Sequence, residues 1–172
     1  MSRIPEAEIL PITANLSDSG RLAIGGCDVR DLVEQYGSPL YIYDEATLRD
    51  VCRDFVGSFT AEYPNTHIEY SSKAFANPAV SKIIEEEGLD MDVVTGGELA
   101  VAIAADFPAE RMNFHGNNKG REELVEALRY GIGLITLDSF AEIELLNEVA
   151  GELGVKQQVM LRLSPSIDPH TH

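Results

Sequence analysis

Basic side chains are scarce in this 172-residue sequence. Thirteen lysines and arginines stand against 29 aspartates and glutamates, for a formal net charge of −16. A surface of that sign repels phosphate backbones, which argues against nucleic acid as a partner. The acid is spread along the chain, with one small cluster at Glu85, Glu86 and Glu87, and a solvated surface accounts for it. Cysteine is nearly absent. Cys27 and Cys52 lack CxxC spacing, so neither a zinc site nor a disulfide scaffold is expected, and free thiols in the cytoplasm are the plain reading. No run of about 18 apolar residues occurs, so no membrane span is expected. The start, MSRIPEAEILPITANL, lacks the basic opening and long apolar stretch of a signal peptide. Low-complexity segments are also missing. What remains, 44% apolar and 24% charged residues, is the composition of an ordinary globular protein.

The first forty residues are rich in turn formers (Asn15, Ser17, Asp18, Ser19, Gly20, Gly25, Gly26) around short apolar pieces such as Arg21 to Ile24. They read as short strands and loops, followed by a helix over Val29 to Tyr36 that stops at Gly37. From Pro39 the pattern changes. Leu40 to Tyr43 reads as a strand, and Asp44 can cap a helix running to about Ser58. Strands are then expected at His67–Ser72, Leu89–Val94, Arg111–His115, Gly133–Leu137 and Gln157–Leu163. Helices between them start at Asn77-Pro78, at Thr95-Gly96-Gly97-Glu98, near Glu122 and at Ser139–Glu142. The alternation implies parallel βαβ units. The strand-end residues Lys73, Asp92, His115, Asp138 and Arg162 are 19, 23, 23 and 24 positions apart. Such even spacing favours a (β/α)₈ barrel and leaves a doubly wound sheet open. Five units fall short of the eight that a barrel needs. The expectation is an incomplete barrel, the front part of a longer protein.

In such folds chemistry sits where strands end. Lys73 follows Glu69-Tyr70-Ser71-Ser72, where alternation puts Lys73, Ser71 and Glu69 on one face. A desolvated lysine amine can form a Schiff base with an aldehyde. From spacing alone, a lysine reaching into solvent is the favoured reading. Asp92, an acid inside the apolar run Met91 to Val94, needs a partner, which can be a group beside Lys73 or a structural neighbour. Glu98 sits where a capping box places it. His115 ends a strand before the polar loop Gly116 to Lys119, a common setting for a structural histidine. Arg162 is a charge in an apolar strand and calls for an anion in a barrel interior. Thr95 to Glu98 can offer helix N–H groups to a phosphate or simply make a tight turn. His170 and His172 make a weak metal signal.

These residues fall into motifs. Gly37 to Asp44, Tyr70-Ser71-Ser72-Lys73-Ala74, Asp92 to Leu99, Phe114 to Lys119, and Arg162 to Pro165 with Asp168 to His172 occur in register. Over residues 20 to 172 the chain resembles the diaminopimelate decarboxylases, of the alanine-racemase-like fold type of pyridoxal-phosphate enzymes. The Gly-Asn-Asn-Lys segment and the Asp-Pro-His-Thr-His ending favour that branch over ornithine or arginine decarboxylases. The chain departs from the family at Ser71 and Ser72, where an alanine and an apolar residue are frequent.

The resemblance implies a pyridoxal 5′-phosphate enzyme that decarboxylates meso-2,6-diaminopimelate to L-lysine, cytoplasmic and homodimeric at full length. It implies that Lys73 binds the cofactor covalently, that Asp92 and Arg162 lie around it, and that His115 and Glu98 lie nearby. It assigns residues 1–38 to a β-domain completed by C-terminal sequence, and 39–172 to part of the barrel. The phosphate loop, the ring-stacking histidine and the acid facing the pyridine nitrogen lie further along in the family. The 172-residue chain is therefore expected to be inactive alone. Rival readings are another decarboxylase of this fold, acting on ornithine, arginine or carboxynorspermidine, and a non-catalytic regulatory protein that reuses it.

Overall fold

A computed structural model describes residues 9–167. The terminal segment Asp168 to His172, with its two histidines, lies outside the described residues. The chain divides into two compact units after Pro64.

In the first unit, strands β1 (Asn15–Leu16), β2 (Leu22–Ile24) and β3 (Cys27–Asp28) form an antiparallel sheet in that order. Gly25 and Gly26 link β2 to β3 with φ of 57° and 79°. A two-residue hairpin turn of this hand needs two positive φ angles, which glycine adopts without steric cost. Helix α1 (Val29–Tyr36) starts where the Asp28 carboxylate accepts the Arg30 N–H and stops at Gly37, φ 87°. Helix α2 (Glu45–Glu62) starts on Asp44. It runs four residues beyond the expected Ser58, because nothing before Tyr63-Pro64 breaks it and a residue preceding proline is driven out of helical conformation. The expected strand at Leu40–Tyr43 does not form: the segment carries no ladder, and Tyr41 is 88% exposed. Aromatic and branched residues favour a strand only when a neighbour pairs with the backbone.

The second unit is a five-stranded parallel sheet, β4 (Glu69–Ser71), β5 (Asp90–Val93), β6 (Met112–Phe114), β7 (Leu134–Leu137) and β8 (Val159–Leu161), each paired with its sequence neighbours. Helices α3 (Pro78–Glu86), α4 (Gly96–Ala104), α5 (Arg121–Tyr130) and α6 (Phe140–Leu153) connect them. The strand order never reverses, so the sheet has no switch point of the doubly wound kind. It is the run of βα units of a barrel wall, and the choice left open by spacing is closed.

Alternation divides the sheet. Met91, Val93, Met112, Phe114, Ile135 and Leu137 are buried, as are Leu99, Ala102, Leu124, Leu128, Leu146 and Val149 of the helices. Burying each of the larger side chains contributes about 1.5–3 kcal/mol. Their alternates, Glu69, Asp92, Asn113 and Thr136, form a polar row on the opposite face. Neighbouring turns pack closely: a Cβ at Gly116 would collide with the Val94 carbonyl, and one at Gly133 with that of Glu110.

Two strand ends differ from expectation. β4 stops at Ser71, and Ser72–Ala74 form a 3₁₀ turn that carries Lys73. β8 is confined to Val159–Leu161. The Arg162 N–H still reaches the Leu137 carbonyl at 2.9 Å, but its side chain is past the strand and exposed.

Candidate active site

β5, which carries Asp92, and the turns following β4, β6, β7 and β8 place the site residues along one edge of the sheet. Lys73 rides on the 3₁₀ turn, is exposed, and among the described residues no hydrogen bond or ion pair engages its amine. The desolvation expected of a Schiff-base lysine is thus not provided by those residues, whose turn lifts Lys73 out of the strand's alternation. The same turn buries Ser72, whose Oγ donates to Glu98 Oε2 at 2.7 Å.

Asp92 is where the structure departs most from ordinary burial. It is 8% exposed. Oδ2 accepts a 3.2 Å bond from Ser71 Oγ, while Oδ1 is buried without any hydrogen bond, and His115 Nδ1 stands 3.7 Å from it. A buried carboxylate oxygen with no partner costs stability unless another group binds there. His115 is held by its backbone, whose N–H donates to the Val93 carbonyl at 2.7 Å, and its ring is half-buried. Asp92 and His115 therefore come together as expected of groups around one site.

Behind them, Asn113 Nδ2 reaches both oxygens of Glu69 at 3.3 and 3.4 Å, and Thr136 Oγ1 donates to Asn113 Oδ1 at 3.0 Å. Burial raises the Glu69 carboxyl above its ordinary range. Asp92 and Asp90 add to the rise, against the lowering effects of the Asn113 amide and His115. Neither Glu69 nor Asn113 was singled out as part of a site, yet a polar residue between Met112 and Phe114 in a buried strand is a legible sign of a polar inner face.

Arg162 does have its anion, Asp138 at 3.1 Å, and among the described residues the arginine side chain is exposed while that of Asp138 is partly covered. Among the described residues, no hydrogen bond ties Arg162 to Asp92 or His115. The Thr95–Glu98 segment is a capped turn and not a free phosphate cradle. Thr95 Oγ1 accepts from the Glu98 N–H at 3.2 Å, and the Gly96 N–H is taken by Glu123 Oε1 at 2.6 Å. Lys119 belongs to the loop after β6 and is wholly buried, donating to Glu142 at 2.8 Å and to the Thr136 carbonyl at 2.7 Å. Among the described residues no cluster of three metal-ligating side chains occurs, and no helix is long and apolar enough to cross a membrane.

An unengaged amine and a buried carboxylate oxygen that accepts no hydrogen bond, on one edge of the sheet, fit a group that carries an aldehyde and a nitrogen able to bear positive charge. Comparison with known proteins agrees. The family described as pyridoxal-dependent decarboxylase, pyridoxal binding domain, matches residues 48–172. Diaminopimelate decarboxylase of Bacillus subtilis (strain 168) is 48% identical over 160 residues, covering 93% of this chain and 36% of its own length. That of Synechocystis sp. is 44% identical over 177 residues, covering 98% and 38%. Among solved structures, diaminopimelate decarboxylase from M. jannaschii in complex with L-lysine superposes with a TM-score of 0.82 at 33% identity, over 94% of this chain and 38% of that one. Lysine/ornithine decarboxylase of Vibrio vulnificus complexed with putrescine gives 0.65 at 26%, over 81% and 36%. The chain spans little more than a third of the length of the curated relatives it matches. With the family match extending over most of its residues, the chain belongs to the pyridoxal-dependent decarboxylases.

Proposed function

We propose that this chain is the pyridoxal-phosphate-binding portion of a diaminopimelate decarboxylase, and that Lys73 is its cofactor lysine. The observation that carries the reading is the presence, on one edge of the sheet, of an unengaged Lys73 amine and of an Asp92 carboxylate whose buried Oδ1 accepts no hydrogen bond and has only the His115 ring, 3.7 Å away, as an ionic neighbour. Asp92 Oδ1 would face a cationic or N–H group of the bound cofactor, with His115 closing one side. Glu98 would stand beside them on the helix after β5, and Arg162 further along the rim, after β8. When bound, the cofactor supplies an electron-withdrawing ring that delocalises the charge left by loss of CO₂.

The residues of this chain perform three tasks. Lys73 would hold the cofactor through its amine and, when released, would remain nearby as a base able to take up a proton. Asp92, fixed through Ser71, sets the side of the site on which positive charge is favoured. His115, on the loop anchored through Lys119, limits access of water. The substrate is meso-2,6-diaminopimelate, the product L-lysine, the place of action the cytoplasm, and the working form a homodimer. Residues 1–38 belong to a β-domain and 39–172 to the barrel, as the resemblance implies. The relative solved with L-lysine and the identities of 44–48% to diaminopimelate decarboxylases support this substrate over ornithine or arginine.

The test is CO₂ release by the full gene product loaded with pyridoxal phosphate. Release from meso-diaminopimelate in preference to ornithine, arginine and carboxynorspermidine, lost in Lys73→Ala, is expected. Preference for another amino acid would replace the substrate assignment. Absence of turnover with all of them, despite cofactor bound at Lys73, would favour the regulatory reading.

A further inference from the structure

Three glutamates share one position and one habit. Glu98, Glu123 and Glu142 each occupy the third residue of helices α4, α5 and α6. Each carboxylate accepts a backbone N–H from its own turn: Val94 at 2.8 Å, Gly120 at 2.7 Å and Asp138 at 2.7 Å. Local capping needs no more than this. Yet each also takes a donor from the preceding strand-to-helix turn. Glu98 accepts from Ser72 Oγ at 2.7 Å, Glu123 from the Gly96 N–H at 2.6 Å, and Glu142 from Lys119 Nζ at 2.8 Å. The donors are a hydroxyl, a backbone amide and an ammonium, so the feature is the reach backward and not any one chemistry.

The consequence is a chain of links running one way along the rim. The turn bearing Asp138 holds the loop of His115 through Lys119. That loop's helix holds the turn after Asp92 through Glu123. The helix from that turn holds the turn of Lys73 through Glu98. Charge-assisted hydrogen bonds of this length are the stronger kind, and Ser72 and Glu142 are buried while Lys119 is wholly enclosed. The last link matters most. Lys73 itself has no partner among the described residues, so its Cα is placed by the 3₁₀ turn, and that turn is fastened by its neighbour Ser72.

We propose that Glu98, acting through Ser72, is a positioning residue for Lys73, and that the three glutamates act in series to set the geometry of the cofactor-binding rim. The proposal rests on Lys73 being the cofactor lysine. In the step it serves, the unprotonated amine attacks the aldehyde carbon, a C=N bond forms, and the aldehyde oxygen leaves as water. Misplacement by about 1 Å can slow such a step by roughly a hundredfold.

The experiment traps that bond. The polypeptide is mixed with pyridoxal phosphate, reduced with borohydride at timed intervals, and the labelled lysine identified by mass. Melting temperature and amide hydrogen exchange over residues 72–76 are measured without cofactor. Ser72→Ala removes the link but leaves Glu98 on the Val94 N–H. It is expected to label Lys73 at least about tenfold more slowly, with faster exchange over 72–76 and a nearly unchanged melting temperature. Glu98→Ala should slow labelling as much and also lower the melting temperature. Glu98→Gln should restore most of the rate, since its amide carbonyl can still accept from both the Val94 N–H and the Ser72 hydroxyl, which share one oxygen of Glu98. Labelling of Ser72→Ala at the unsubstituted rate overturns the positioning role and leaves Lys73 as the cofactor lysine. No label at Lys73 in the unsubstituted chain overturns both.

Discussion

Lys119 Nζ lies 2.8 Å from Glu142 Oε1, and the lysine side chain has no exposure to solvent. The ammonium also serves the carbonyls of Gly116 and Thr136, and the second carboxylate oxygen serves the Asp138 N–H. Every polar atom at this junction is therefore engaged, which is what makes a buried ion pair tolerable. Lys119→Met leaves a buried carboxylate without its cation and is expected to cost about 3–5 kcal/mol, a large share of a typical domain's stability. Adding Glu142→Gln should recover part of that loss. Urea denaturation of the two single variants and the double one gives the coupling energy, and simple additivity would refute the pairing.

The Glu123 link predicts a reversal of sign at Gly96. Alanine is ordinarily the better residue inside a helix by about 1 kcal/mol. A Cβ on Gly96, however, would stand 2.9 Å from Glu123 Oε1 and 3.0 Å from its Cγ. Glu123 would have to leave the Gly96 N–H. Gly96→Ala is thus expected to destabilise by about 1 kcal/mol, and the same substitution in a Glu123→Ala background to stabilise. Paired melts of the four variants decide it. An equal effect in both backgrounds would show that Glu123 does not restrain the turn.

Much of the second unit was legible because its signals are local. The caps at Asn77, Thr95 and Ser139 all accept the expected N–H groups, since a cap is set by residues within one turn. Five apolar strands at even spacing gave the parallel order. What escaped was of longer range. Leu40–Tyr43 has strand-forming residues, but whether a strand forms depends on a partner ladder. The capping pattern showed Glu98 and Glu142 serving their own helices, and nothing in a three-residue spacing tells that they also bind Ser72 and Lys119. The sequence pattern extends the last strand to Leu163, whereas the ladder ends at Leu161 and Arg162 keeps one backbone bond to it. Asp92 stands out in the sequence because a charge in an apolar strand is unusual, and His115 only because it lies in a family motif. Asn113 and Thr136, equally inward, were passed over because neutral polar residues raise no such alarm.

In the first unit Asp44 accepts from Thr47 N at 2.9 Å, from Thr47 Oγ1 at 2.5 Å and from Thr13 Oγ1 at 2.8 Å. The Thr47 hydroxyl is the largest influence holding this carboxyl below its ordinary value of 3.8, with burial opposing and Thr13 and the Thr47 amide assisting. A depressed carboxyl contributes stability above its unfolded value, and that contribution fades as pH falls through the folded one. The α2 start should therefore hold at neutral pH and loosen only below about pH 3.8. Asp44→Ala should cost about 1 kcal/mol at pH 7 and progressively less below that point. Amide exchange at Thr47 over a pH series checks this, and a pH-independent difference would show that the charge plays no part.

Glu69 predicts the opposite slope. Its carboxyl is raised above the ordinary 4.5, chiefly by burial and then by the charges of Asp92 and Asp90. A raised acid favours the folded state while it is protonated, and this contribution is lost as pH rises through the folded value. Glu69→Gln keeps an oxygen for the Asn113 amide and carries no charge. The variant should match the unsubstituted protein in acid, overtake it as pH climbs above 4.5, and hold a constant advantage near neutrality. The residue is exposed in part, so solvent screening keeps the gain small. Asn113→Asp tests the same row from the other side. It places a carboxylate against Glu69 and beside Asp92 and leaves the Thr136 contact as its main neutral support, so stability should fall more steeply with rising pH than in the unsubstituted protein. Urea midpoints between pH 4 and 8 read both variants. A Glu69→Gln advantage that is flat across the series would mean that the polar row tolerates the charge without strain.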